Sequence, residues 1–292
     1  LRRIAAGAAL AAGLITISVA PAWAQKARPE RSASSRVAVG RGGFRLFAGA
    51  TSLDLVANRV YCGLDDAGRV CTMGAGGSLP GGGWWPRGTP DQYIFKSGIQ
   101  IAGIIPSSAG FAWAGDTVGA WAIDTRGPGA HMQSVTGIYN SLSAGDLDLC
   151  LFSVGTSATY VRDTSLFGEA LIGRKAASEQ DTWVRYWDGD TTRLVGRRHT
   201  MGLLIEQRTL AWTYPDGIQD LVYVLFRFTN VTASSPTPYT DLSRYGYSPA
   251  DIAEVAALGA EFQRLSERKF GITIPDGGYT IKDLYAAYTA DM

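Results

Sequence analysis

Charge, histidine and cysteine are all scarce in this chain of 292 residues, and each scarcity closes off a class of function. Charged side chains make up 18% of it, below the roughly 25% of an average globular protein. The 27 Lys and Arg nearly balance the 26 Asp and Glu, so the net charge of +1 gives no field to gather nucleic acid or acidic lipid, and no nucleic-acid partner is expected. The two histidines, His131 and His199, have little to work with. No G-x-S-x-G supplies a nucleophile elbow, and no H-E-x-x-H supplies a zinc-protease site. The three cysteines include no C-x-x-C pair, so a cysteine-zinc site is not expected, and no metal site is assigned. Phosphate-cradling glycine motifs are missing too. Gly74 to Gly83 is Gly-rich but ends in Trp84-Trp85-Pro86, and reads as a loop that lets a Trp pair approach the core.

Long apolar runs are also lacking, except at the start. Arg2-Arg3 precede an apolar stretch from Ile4 to Ala20, Pro21 breaks it, and Ala22-Trp23-Ala24 precede Gln25. A basic start, an apolar middle and an A-x-A site are the parts of a secretory signal peptide over 1–24. The stretch is short for a membrane span, which needs about 20 residues. No later segment is apolar for long enough, so no integral span is expected after cleavage. The expected destination is the cell surface, the medium or the periplasm. Residues 25–50 read as a flexible polar lead-in, and 51–292 as one domain truncated at its C-terminus.

What is plentiful is glycine (36 residues), aromatics and hydrophobic residues at 46%, a balance that excludes disorder for the bulk of the chain. The patterning is that of strands. Leu53 to Val56, Tyr93 to Phe95, Ser97 to Ile105, Phe111 to Trp113, Val118 to Ile123, Thr164 to Ile172 and Thr182 to Trp187 are all β-rich or alternating. Two longer runs are clearest. Gly202 to Thr213 sets Leu204, Glu206, Arg208 and Leu210 against Ile205, Gln207, Thr209 and Ala211. Asp220 to Val231 turns Val222, Val224, Phe226 and Phe228 inward and leaves a half-apolar outward face that needs a cover. Tyr214-Pro215-Asp216-Gly217 joins the two as a hairpin turn. A last strand is expected from Tyr279 to about Ala290.

One helix stands out, near 249–269. Ser248 is its N-cap, Pro249 its first residue, Asp251 completes a capping box, and Gly271 sits at the C-terminal cap position. Ile252, Val255, Gly259 and Phe262 recur at helical spacing, and the helix is expected to lie across a sheet edge or end. Many short strands, Gly-rich turns and a single helix predict an all-β fold, mainly an antiparallel β-sandwich, with a closed β-barrel as the alternative.

Cys62 and Cys71 flank an Asp65-Asp66-Ala67-Gly68 turn between two short strands. The hairpin brings the sulfurs together, and a Cys62–Cys71 disulfide is predicted in an oxidising compartment. Cys150 lies in the apolar stretch Asp148 to Phe152 and reads as a buried, inert thiol.

Several stretches are similar to the N-terminal region of long exported proteins of uncharacterised function from environmental bacteria. They include Asn58 to Gly63, Gly88 to Phe95, Trp113 to Thr117, Val135 to Leu142, Gly202 to Trp212 and Phe228 to Asn230. The resemblance implies a module of a longer exported polypeptide and carries no activity.

Two functions remain. The first is a non-catalytic β-sandwich module of a larger cell-surface or extracellular protein, structural, adhesive or ligand-displaying. The second is a carbohydrate-binding or glycoside-hydrolysing protein whose partner is an extracellular polysaccharide. Glycoside hydrolysis needs only two carboxylates about 5–9.5 Å apart, and Glu169, Glu179, Asp181, Asp188, Asp190 and Glu206 lie on or between strands. Trp183, Trp187 and Trp212 are near in sequence, and aromatic faces suit sugar rings. Trp183, Trp187, Asp188, Asp190 and Trp212 are therefore the candidate ligand-binding set. The same aspartates offer a weak Ca²⁺ site, without the D-x-[DN]-x-[DN]-G pattern; no other cofactor is expected. The balance leans away from catalysis.

Overall fold

The computed structural model describes residues 51–72, 82–106, 116–122, 131–143, 176–192, 194, 199–245 and 247–292. The signal peptide over 1–24, the lead-in, Cys150, Glu169 and the strands expected at Phe111 to Trp113 and Thr164 to Ile172 lie outside them.

The elements follow the sequence pattern closely. The first sheet takes β1 (Ser52–Leu55), β2 (Tyr61–Asp65), β3 (Arg69–Val70), β4 (Gly83–Trp84), β5 (Gln92–Ile94), β6 (Lys96–Ile105), β7 (Asp116–Trp121) and β12 (Lys282–Asp291). The second takes β8 (Gln133–Asn140), β9 (Gln180–Trp187), β10 (Leu203–Ala211) and β11 (Tyr223–Asn230), in the order β11-β10-β9-β8. Every pairing in both is antiparallel. Among the described residues the sheets stack as a sandwich and do not close into a barrel.

The β2–β3 hairpin forms as its turn residues dictate. The Asp65 carboxylate accepts hydrogen bonds from the Ala67 and Arg69 backbone N–H groups and pairs with the Arg69 guanidinium. Gly68 turns at φ 88°, and a Cβ there would drive into the ring of Tyr186 on the opposite sheet. Glycine thus serves both the turn and the closest approach of the two layers. The predicted Cys62–Cys71 disulfide is present, closing the hairpin.

Strand β10 is buried along its whole length because both of its faces are covered. Leu203, Ile205 and Ala211 join Ile99, Ile101, Ile138, Val184 and Tyr186 in the core between the sheets. Leu204 on the other face joins a second core with Val135, Trp187 and the helix α1 (Pro249–Phe270). The fold therefore has three layers: sheet, sheet, helix. α1 carries the capping box of Ser248 and Asp251 and ends on Gly271 in the left-handed region, as expected.

Its position differs from the expectation. α1 covers the face of the four-stranded sheet, not an edge or end. Its stripe of Val255, Leu258, Phe262 and Leu265 needs a broad apolar partner, and Val135, Trp187 and Leu204 on adjacent strands supply one. The outward face of β11 is covered in part: Arg227 lies under Tyr245 and Tyr247, while Tyr223 stays 41% exposed. Among the described residues no helix is long and apolar enough to cross a membrane.

Candidate functional site

The residues singled out in the sequence lie mostly inside. Trp183 and Trp187 are each only 4% exposed. Trp183 packs on Tyr139 with ring centroids 5.6 Å apart, and the Arg185 guanidinium stacks over it at 4.9 Å. Trp187 meets Phe262 of α1 edge-on. Trp212, half-buried, meets Tyr223 edge-on. Asp188 accepts the backbone N–H groups of Met201 (2.6 Å) and Leu203 (2.8 Å), fixing the entry to β10. Asp190 accepts the Thr192 N–H and hydroxyl. These five do not converge on an open groove. Their aromatic members fill layers and their carboxylates hold backbone.

The remaining carboxylates of the sheet are equally committed. Asp181 pairs with Arg208, both fully buried. Glu206 sits between Arg185 and Arg227 across three neighbouring strands, with Arg185 Nε donating to it at 3.0 Å. Arg185 also reaches Glu254 of α1 at 3.5 Å, and the Tyr247 hydroxyl donates to Glu206. Burial pushes the Glu254 carboxyl above its ordinary range despite Arg185 beside it, and pushes the Tyr247 phenol up. Arg227 lies over the ring of Tyr245 at 4.1 Å. Two guanidiniums and two carboxylates cancel here, and the seam fastens the helix layer to the sheet. Among the described residues no cluster of three or more His, Cys, Asp or Glu is arranged to hold a metal ion.

The open space is elsewhere. A cleft of about 720 Å³ lies between the sheets where β11 faces β3, β4, β5 and β12. Val222, Val224 and Phe226 form one wall; Val60, Val70, Cys71 and Ile94 form the other. Trp84, Trp85, Tyr93 and Tyr288 frame it, with Trp85 39% and Tyr93 54% exposed and their rings 6.3 Å apart. Protein families, curated proteins and solved structures offer no match to this chain. The cleft must be read from its own chemistry.

Its mouth is built by four polar links between the two sides. Asn58 Nδ2 donates to the Leu221 carbonyl at 2.7 Å, and the Arg59 N–H to the Gln219 carbonyl at 2.9 Å. Trp85 Nε1 donates to Asp220 Oδ1 at 2.8 Å, while Arg59 holds Asp220 Oδ2 at 3.3 Å and lies over the Trp85 ring. Val222, Val224 and Phe226 point inward, as their alternation predicts, but they are only half-buried because the first sheet stands off from them. The Trp84-Trp85 pair carries the one legible sign of the site. Nothing local says that the pair would meet a strand start about 135 positions further along.

Proposed function

We propose that this chain is an exported, non-catalytic β-sandwich module of a larger cell-surface or extracellular protein, and that its role is to display or hold a ligand. The observation that carries the non-catalytic part is the commitment of the strand carboxylates. Asp181, Asp188, Asp190 and Glu206 each hold a guanidinium, a hydroxyl or backbone N–H groups, so none is poised as an acid, base or nucleophile. The disulfide of the β2–β3 hairpin supports an oxidising destination. The apolar cleft supports a holding role, since ligand sites are mostly apolar hollows of about 300–1,000 Å³ with a few placed polar groups.

Expression of the full chain with a C-terminal tag in a secreting bacterial host tests the reading. The expected product is recovered outside the cytoplasm, begins at Gln25 and shows no free thiol at Cys62 or Cys71. Untrimmed, reduced protein confined to the cytosol would refute it. The carbohydrate reading keeps one observation in its favour, the exposed Trp85–Tyr93 pair, and a glycan-array screen of the same product decides it.

A further inference from the structure

Strand β11 ends the four-stranded sheet, and its outer edge is undefended. The Val231 N–H donates to the Gly202 carbonyl at 2.8 Å, which sets the alternation along the β10–β11 pair. Tyr223, Leu225, Arg227 and Thr229 therefore turn their backbone groups toward β10. Val224, Phe226 and Phe228 turn theirs the other way, and among the described residues β11 pairs with β10 alone. An open row of N–H and C=O groups is a template for another strand. Other sheet ends carry devices that discourage this. β5 has only three residues, β8 and β12 are interrupted by register shifts, and β12 also carries Lys282, Asp283 and Asp291. β11 runs unbroken from Leu203↔Asn230 to Leu210↔Tyr223, without Lys, Pro or Gly, and its one charged residue, Arg227, is buried.

The cleft lies on the inward side of the same residues. Val222, Val224 and Phe226 line it with their side chains and remain half-buried. Cross-strand neighbours project to the same face of a sheet. A strand added to this edge thus sends alternate side chains toward the cleft, beside those three. The lining tells which side chains fit. Across the cleft, Val60, Val70 and Ile94 are apolar. Asp220 is the only ionised side chain in the lining, and Arg59 pairs with it at 3.3 Å, so no net charge is left for a partner to answer. Charge matching therefore selects uncharged, apolar residues at every second position. On the other face such a strand lies beside the exposed Tyr223, where polar residues stay in water.

We propose that β11 accepts an extended segment of another polypeptide, paired to its free edge by backbone hydrogen bonds and filling the cleft with alternate apolar side chains. The inference rests on the ligand-holding part of the function proposed above, and names that ligand as a peptide strand. Retention of the chain in the cytosol would refute export and leave this binding measurable; failure of binding leaves trimming and export as they are.

The full chain is titrated by calorimetry with a lysine-capped Thr-Val repeat the length of β11, and amide exchange is followed by NMR. The Val224, Phe226 and Phe228 amides are expected to exchange freely without the peptide and slowly with it. Those of Leu225 and Arg227, held by β10, are expected to change little. One N-methyl group on an edge-facing residue of the peptide is expected to weaken Kd about tenfold. Aspartate in place of the valines is expected to abolish binding. Val224→Pro removes a donor that points away from β10, a change that edge strands tolerate. It is expected to lose the peptide with the circular dichroism spectrum unchanged. Should it fail to fold, the N-methylated peptide on the wild-type protein decides. No binding, binding that ignores N-methylation, protection elsewhere than the β11 edge, or a dimer of the chain that protects this edge without peptide, overturns the proposal.

Discussion

Gly259 is the narrowest point between α1 and the rest of the molecule. A Cβ at this position would overlap the backbone carbonyl of Ala233, which also accepts the Tyr239 hydroxyl at 2.7 Å. Helix propensity alone predicts that Gly259→Ala stabilises, by about 1 kcal/mol. The contact predicts the opposite, because a backbone carbonyl cannot swing aside as a side chain can. Gly259→Ala is expected to lower unfolding stability by about 2 kcal/mol or more, read from the urea midpoint. Helical spacing places Gly259 on the buried stripe but cannot say why a glycine stands there, since the reason lies in a segment the helix meets only on folding. The same limit hides the fate of Trp183 and Trp187. Their neighbourhood in sequence suggests exposed rings over carboxylates, and it is the covering of both faces of the sheet that takes them inside. Asp188 and Asp190 are likewise occupied by the backbone, Asp188 by the distant Met201 and Leu203 N–H groups and Asp190 by the nearby Thr192 N–H.

At the scale of elements, the seam between α1 and the four-stranded sheet gives a pH signature. Glu254 is held above its ordinary value of 4.5, by burial first, with Arg185 opposing. A carboxyl whose value is raised by folding favours the folded state in its neutral form. That contribution is complete below the unfolded value and is lost as pH climbs through the folded one. Glu254→Gln keeps a neutral group at every pH. Its unfolding free energy is therefore expected to match wild type near pH 4 and to exceed it near pH 7. Paired urea titrations at the two pH values measure this, and a variant weaker than wild type near neutrality would show that the Arg185 contact outweighs burial. The ends of α1 are legible in the sequence because capping is local: Ser248, Pro249, Asp251 and Gly271 each act within a few residues. Strand β8 is not, since a register shift between Ser134 and Gly137 interrupts its alternation. The 3-10 segment Thr237–Tyr245 escapes notice for a similar reason, having neither strand nor helix period.

At the scale of the molecule, the strand count and turn residues suffice for a sandwich, but the partners of each strand do not follow from them. β12 pairs with β6 from Lys282↔Ile104 to Asp291↔Lys96, joining parts of the chain far apart in sequence. Its outer edge is exposed, with Leu284, Tyr285 and Tyr288 all more than 40% accessible. β12 thus shields the ten-residue edge of β6, whose Ile99, Ile101 and Ile105 belong to the core. A chain ending at Ile281 would offer that edge to a second copy. It is expected to self-associate, with a higher mass by light scattering than the full chain at equal concentration; equal masses would mean that β6 is protected without β12.

A side chain of β9 also joins the two sheets. Gln180 of β9 accepts the Val56 N–H on its amide oxygen at 2.7 Å, and its amide nitrogen donates to the Asp54 carbonyl at 3.1 Å. An amide can both give and receive in this way, whereas an ionised carboxylate can only receive. A glutamate of the same shape would turn an oxygen toward the Asp54 carbonyl, so a one-atom exchange at this position sets like against like and pries β9 away from β1.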